Sequence, residues 1–285
     1  AGAPLLPQAR RAMDDVWTRP GNPSSLHASG RTMRRLLEES RESLAECLGA
    51  RPTEIVFTSG GTEANNLILL GAARARAERP RLAIGGAEHP SVAEVVARLP
   101  GRVDVLAVDA SGRLSDLGPI TERTALVSTM VVNNETGVIQ PLDDVLAAAR
   151  DVGAWVHTDA VQAFGQVPLD FSALGVDAMT VTAHKLGGPV GIGALVVRRE
   201  VALVAPGFGG GQERKLRSGT VMVALAAGFA AAARVAVGER ALESTRLARL
   251  RERLVGGVSS MPEVLVNGAA PVSPAILNVT FRGCR

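Results

Sequence analysis

The chain has 285 residues, 46% of them hydrophobic, enough to bury a large core and to hold one large domain with part of another. Its net charge is +3 and its arginines are mixed with acids, as in Arg34-Arg35-Leu36-Leu37-Glu38-Glu39, which argues against a nucleic-acid partner. The Ala-rich stretch Val223 to Val237 runs into charged residues and reads as a buried helix, not a membrane span, and two cysteines, Cys47 and Cys284, give neither a disulfide framework nor a zinc spacing.

In chain order, Met33, Leu36, Leu37, Leu44 and Leu48 recur at helical spacing and predict a helix over Ser29 to Leu48, with Gly49 as its stop. Strands are expected at Ile55 to Thr58, Arg81 to Ile84, Val103 to Val108, Leu126 to Val132, Trp155 to Thr158, Ala178 to Thr182 and Ile192 to Val197. Helices fall between most of them: Glu63 to Arg76, Ser91 to Leu99 with Pro90 in its first turn, and Leu142 to Arg150. This alternation predicts an α/β fold with a largely parallel sheet flanked by helices. A long helical region from about Val223 to Val255 follows, then strands at Val264 to Val266 and Ile276 to Phe281. No signal peptide is visible at the start, and the two thiols suit a reducing cytoplasm.

The chemistry concentrates where apolar runs end. Lys185, one of only two lysines, follows Val181-Thr182-Ala183-His184, and Asp159 closes the run Ala154 to Thr158, with Gln162 three positions on. Two strands of an α/β sheet would bring this amine and carboxylate to one carboxyl edge, where open sheets bind ligands. Such a pair suggests pyridoxal 5'-phosphate (PLP), with the lysine as Schiff-base former and the aspartate beside the pyridinium nitrogen. Thr58-Ser59-Gly60-Gly61-Thr62-Glu63 joins a strand to a helix, and its amides with the Thr62 hydroxyl could hold a phosphate; it could equally be a Gly-rich turn capped by Thr62. Thr182 and His184 form a second anion candidate. His89 could stack on an aromatic cofactor or cap a helix, and Asn134, in Asn133-Asn134-Glu135-Thr136-Gly137, could bond a phenolic oxygen or belong to a turn. The segment Gly209 to Thr220 reads as a ligand loop or a glycine hinge. His27, His89, His157 and His184 lack an i, i+4 pairing with an acid between, so no metal site is expected.

Taken together, Asn22-Pro23-Ser24-Ser25-Leu26-His27, Ser59 to Asn66, Asn133 to Gly137, Asp159-Ala160-Val161-Gln162, Ala183-His184-Lys185 and Gly209 to Thr220 resemble, in order and spacing, the cysteine desulfurases of the iron–sulfur-cluster type, class V enzymes of PLP fold-type I. The resemblance implies an aminotransferase-like fold, with 10–241 as the large PLP-binding domain and 1–9 with 242–285 as an incomplete small domain. It implies roles for Lys185 as the Schiff-base lysine, Asp159 as the pyridinium partner, Gln162 and Asn134 near the phenolic oxygen, and His89 as stacking group and candidate acid/base. Gly61, Thr62, Thr182 and His184 would hold the phosphate, joined by Thr220 from the second subunit of a homodimer, and Asn22 would border the substrate, L-cysteine. A sulfur acceptor or iron–sulfur scaffold protein would be the partner. It further implies that the chain starts inside the family's first small-domain strand and stops before the persulfide-forming cysteine and a substrate-carboxylate arginine, leaving activity to the complete protein and Cys47 and Cys284 structural. The alternatives are a selenocysteine lyase or another class V aminotransferase, and a catalytically inactive PLP-fold scaffold. Retention of Lys185 and Asp159 together argues against the scaffold.

Overall fold

The computed structural model describes residues 2–99 and 102–283, so Cys284 lies outside the described residues. The elements are helices α1 (Pro7–Trp17) and α2 (Ala28–Leu48), strand β1 (Ile55–Thr58), α3 (Gly61–Ala75), β2 (Arg81–Gly85), α4 (Pro90–Ala97), β3 (Val103–Leu106) and β4 (Thr124–Met130). There follow α5 (Leu142–Asp151), β5 (Trp155–Asp159), α6 (Phe171–Leu174), β6 (Ala178–Thr182), β7 (Gly193–Val197), α7 (Val223–Ser259), β8 (Val264–Asn267) and β9 (Asn278–Phe281). Each predicted strand is present: β1 and β6 keep the expected bounds and the others shift at one or both ends. The run expected to reach Val132 stops at Met130, because Val132 leaves the ladder to bridge Ile139, and the one expected to reach Val108 stops at Leu106.

Seven strands form one sheet in the order β1-β7-β6-β5-β4-β2-β3. The β6-β5-β4-β2-β3 block is parallel, while β7 runs antiparallel to both its neighbours. Strands buried on both faces read as continuous apolar runs, which is why β1, β4 and β6 were legible in the sequence. Alternate residues feed two cores. Val56, Leu82, Ile84, Leu126 and Leu195 pack with Leu67, Ile68 and Val92 of α3 and α4. Phe57, Val127, Val156 and Met179 pack with α2, α5 and α7 on the other face. The short β8–β9 pair is a separate antiparallel ladder.

Helix α1 had no sequence reading. Its buried stripe is only Ala9, Met13 and Val16 among charged residues, too thin to stand out before its docking partner is known. That partner is α7, where Gly228 lets Met13 approach: a Cβ on Gly228 would lie 2.7 Å from Met13 Cγ. The N-terminal part of α7, through Ala233, is buried, and its far end packs on β8, so residue 241 falls within one continuous helix. No helix among the described residues is long and apolar enough to cross a membrane.

The outer strand β1 is finished by a charge pair. Arg41 of α2 donates to Glu213 Oε1 at 2.6 Å and to the Ile55 carbonyl at 2.9 Å, and Glu213 Oε2 accepts from the Phe57 amide at 2.7 Å. The edge groups of β1 are thus satisfied without another strand. The pair also holds Glu213, Arg214 and Lys215 at φ of +43°, +60° and +61°, a left-handed run that costs on the order of 1–3 kcal/mol per residue. Substituting Glu213→Ala leaves the Arg41 guanidinium, 10% exposed, with only the half-exposed Glu38 carboxylate as counter-charge and the Phe57 amide without its acceptor. Urea denaturation of that variant is expected to show about 3 kcal/mol lost stability.

Candidate active site

The carboxyl ends of the sheet bring polar residues from five loops to one cavity of about 240 Å³. β5 ends on Asp159, with Gln162 in the following turn. β6 ends on Thr182, with His184 and Lys185 beyond it. Gly61 and Thr62 open α3, His89 precedes α4, and Asn134 follows β4. Asp159 stands between Met130 of β4 and Thr180 of β6 in register, so its position is set by the sheet itself.

Asp159 is buried and doubly held: Asn65 Nδ2 donates to Oδ2 at 2.8 Å and the Val161 amide to Oδ1 at 2.9 Å. Burial pushes its carboxyl upward, opposed by these two donors and by His89 and Lys185. Asn65 Nδ2 also donates to Ser91 Oγ at 2.8 Å, and Ser91 Oγ in turn contacts His89 Nδ1 at 2.8 Å. Asn65 and Ser91 are cavity residues to which the sequence reading gave no role. A signal existed for the first: Asn65 lies four residues after Gly61, on the same face of α3.

His89 is the cap of α4 and also reaches the cavity. Its Nδ1 accepts from the Ser91 amide at 3.1 Å and caps α4, while its ring lines the cavity. Because Nδ1 is the acceptor, the neutral ring carries its proton on Nε2. The asparagine pair likewise divides the work. Asn133 Oδ1 accepts from the Glu135 and Thr136 amides and forms the turn, leaving Asn134 at the cavity with its Nδ2 on Glu135 Oε1 at 2.8 Å.

Thr62 is not the cap of α3. Gly60 takes that place, and the Ser59 amide is satisfied by Glu63 Oε2, so the Thr62 side chain is left to the cavity. Ser59 and Arg217 hold the Glu63 carboxyl below its usual range despite burial, and the 3.0 Å Arg217–Glu63 pair fastens the 209–220 segment to the start of α3. His184 Nδ1 lies 3.2 Å from Thr182 Oγ1; burial and the charge of Lys185 lower its affinity for a second proton. Amides at a helix start with a hydroxyl and an imidazole suit a phosphate.

Asn22 and Thr220 are exposed and do not line this cavity. Asn22 Oδ1 accepts from the Ser24 amide at 2.9 Å, and Pro23 and Ser24 border a second cavity of about 650 Å³, closed on its other side by Gly210 to Arg214. Cys47 sits on α2, away from both cavities, and burial raises its thiol.

The aminotransferase class-V family model matches residues 1–285. The chain belongs to the class-V aminotransferase family. It is 44% identical over 300 residues to an IscS-like cysteine desulfurase of Mycobacterium tuberculosis, covering 100% of this chain and 76% of that protein. To the mitochondrial cysteine desulfurase of Drosophila melanogaster it is 41% identical over 297 residues, covering 100% of this chain and 63% of that one. The solved structure of a NifS-like protein superimposes with a TM-score of 0.94 at 35% identity, covering 100% of this chain and 80% of the other. These class-V desulfurases depend on PLP. The cavity fits that group: it offers an enclosed carboxylate, an amine, and hydroxyl and imidazole groups at a helix start.

Beneath the cavity His157 is fully buried between Ser128 Oγ at 2.9 Å and Thr180 Oγ1 at 3.0 Å, and burial lowers its pKa to about 3. A group whose folded pKa lies below its unfolded value of 6.5 destabilises the fold as pH falls below 6.5. Melting between neutral pH and pH ~4 should show about 3 kcal/mol of stability lost through this residue, and His157→Gln should remove that component of the loss.

Proposed function

We propose that the whole protein is a cysteine desulfurase that converts L-cysteine to L-alanine and passes the sulfur to an enzyme thiol as a persulfide, for iron–sulfur cluster assembly or another sulfur-transfer route. One observation carries the reading: Asp159 and Lys185, delivered by neighbouring parallel strands, face the same cavity. Bound PLP supplies an electron-accepting ring at the substrate carbon. Lys185 is assigned as the residue that holds it covalently, and Asp159 as the carboxylate that keeps its ring nitrogen protonated. The Asn65 bond orients Asp159 for that task. Gly61, Thr62, Thr182 and His184 are assigned to the phosphate, Gln162 and Asn134 to the phenolic oxygen. His89, with its proton on Nε2, is assigned to the ring face and to proton transfer. Cys47, on α2 and away from the cavity, is assigned a structural role.

Reduction of the PLP-loaded protein with borohydride, followed by peptide mapping, is expected to place the pyridoxyl label on Lys185 and none on Lys215. Label on Lys215 would end the assignment. Asp159→Asn is expected to weaken PLP binding at least tenfold, about 1.4 kcal/mol, and to abolish alanine formation.

The exposed position of Thr220, outside the cavity of its own chain, supports a homodimer in which that residue reaches the neighbouring site; Asn22 is assigned to the substrate border at the same junction. Sedimentation of the whole protein should give a dimer, and an active, PLP-saturated monomer would exclude this role. The large domain is assigned to 10–241 and the small one to 1–9 and 242–285, with α7 as the shared spine. A reducing compartment, the cytoplasm, suits the persulfide chemistry.

A further inference from the structure

Glu88, next to the cavity residue His89 and bonded to the cavity residue Met130, is a buried acid that the chemistry above leaves without a task. Its backbone lies in the loop after β2, but the carboxyl turns inward: Oε1 accepts from the Met130 amide at 2.8 Å, and Oε2 is enclosed with no hydrogen-bond partner. Gly85 makes the room. A Cβ there would lie 2.8 Å from Glu88 Oε1 and 3.3 Å from Thr129 Oγ1, which is also enclosed and without a partner. Met130, which Glu88 holds, is the register neighbour of Asp159, and His89 is the next residue in the chain. The same loop is fastened once more by Asn133 Nδ2 on the Ala87 carbonyl at 3.0 Å.

An ionised Glu88 would hold its charge in an enclosed site with only the Met130 amide and the Thr129 hydroxyl to offset it, beside a second carboxylate. Burial of an unsatisfied carboxylate costs several kcal/mol. A proton on Oε2 removes that charge and supplies a donor next to the orphaned Thr129 hydroxyl. We propose that Glu88 is a positioning residue that stays protonated at neutral pH, pinning the His89 loop to the end of β4 as a neutral acid and leaving Asp159 as the only carboxylate anion facing the cofactor ring. The electrostatics agree in direction. Burial raises the Glu88 carboxyl well above 4.5, the Met130 amide opposes this, the charge of Asp159 adds to it, and Thr129 opposes it, with burial prevailing. The charged groups around the pair are Asp159 from β5, His89 from the loop itself and Lys185 from beyond β6, the last two acting on Asp159.

The inference rests on the PLP reading for its purpose but not for its test. Label the wild-type, cofactor-free protein with carbon-13 at the glutamate side-chain carboxyl and follow the resonances with pH. Aspartates are silent in this experiment, so Asp159 cannot be mistaken for Glu88. One glutamate carboxyl is expected to remain protonated at neutral pH, and its signal to vanish in Glu88→Gln. If every glutamate ionises near the ordinary value of 4.5, the proposal is wrong whatever the cofactor proves to be.

A second measurement reads position. In Glu88→Gln, which keeps a neutral acceptor for Met130, the visible absorption of the PLP-loaded protein and its pH midpoint should match wild type. In Glu88→Ala, which frees the loop, the absorption maximum should shift. Because the folded carboxyl holds its proton more tightly than the unfolded one, its favourable contribution is fully present below the unfolded value and lost at higher pH. Glu88→Gln should therefore melt at or above the wild-type temperature at neutral pH. A displaced absorption midpoint in Glu88→Gln would show that a negative charge had been removed and would overturn the proposal. Failure of wild type to bind PLP would instead count against the functional reading and leave the carboxyl measurement standing.

Discussion

The enclosed carboxylate of Asp159 sets the terms for everything around it. A charge at the end of a buried strand is tolerated only with donors in place, and Asn65 and the Val161 amide provide them. Asn65 must then arrive from α3, so the helix has to start at Gly61 and lie across the sheet with this face inward. Its amide also reaches Ser91, and through Ser91 the His89 ring, so one side chain fixes both the carboxylate below the cavity and the imidazole at its wall. The same demand for compensation shapes the histidine beneath. His157 stays neutral because burial penalises its charged form, while two hydroxyls satisfy its ring nitrogens.

A second constraint acts at the sheet edge, far from Asp159. β1 carries the loop that opens the phosphate candidate, and an outer strand is ordinarily the least secure in a sheet. Here Glu213 takes over the hydrogen bond that a further strand would have made, and Arg41 neutralises it. The segment containing Glu213 continues to Arg217, which binds Glu63 at the head of α3. The 209–220 stretch therefore behaves less like a hinge than like a strap across β1 and α3. Its left-handed residues are tolerated because the buried ion pair holds them.

The reach of sequence reasoning follows the physics of each element. β4 and β6 are buried along their whole length, so burial alone writes their apolar runs. α2 shows its stripe because one face meets the core and the other meets water. α1 has only three buried residues and gains its place from contact with α7, about which its own sequence says nothing. Strand ends moved for a related reason: Val132 looks like a strand residue, but it pairs with Ile139 in the following loop. Where two local readings competed, neither composition nor spacing could choose. Thr62 could have been a cap, and only the Ser59–Glu63 bond shows that the cap was not needed.

What the sequence determined by itself was the chemistry available at the strand ends: a carboxylate at 159, an amine at 185, and polar groups at 62, 89, 134, 162, 182 and 184. These follow from residue type and from the apolar runs that precede them, both local properties of the chain. What only the tertiary structure decided was the company those groups keep. Asn65 on Asp159, Ser91 on His89, Glu88 beneath Met130 and Arg41 on Glu213 join residues separated by 2 to 172 positions. Hydrogen bonds of the longer kind leave no periodic trace, because their partners are set by how strands and helices stack and not by neighbours in the chain. The protonation of each buried acid is likewise a property of its enclosure, since the free energy of a buried charge depends on which donors the fold brings to it.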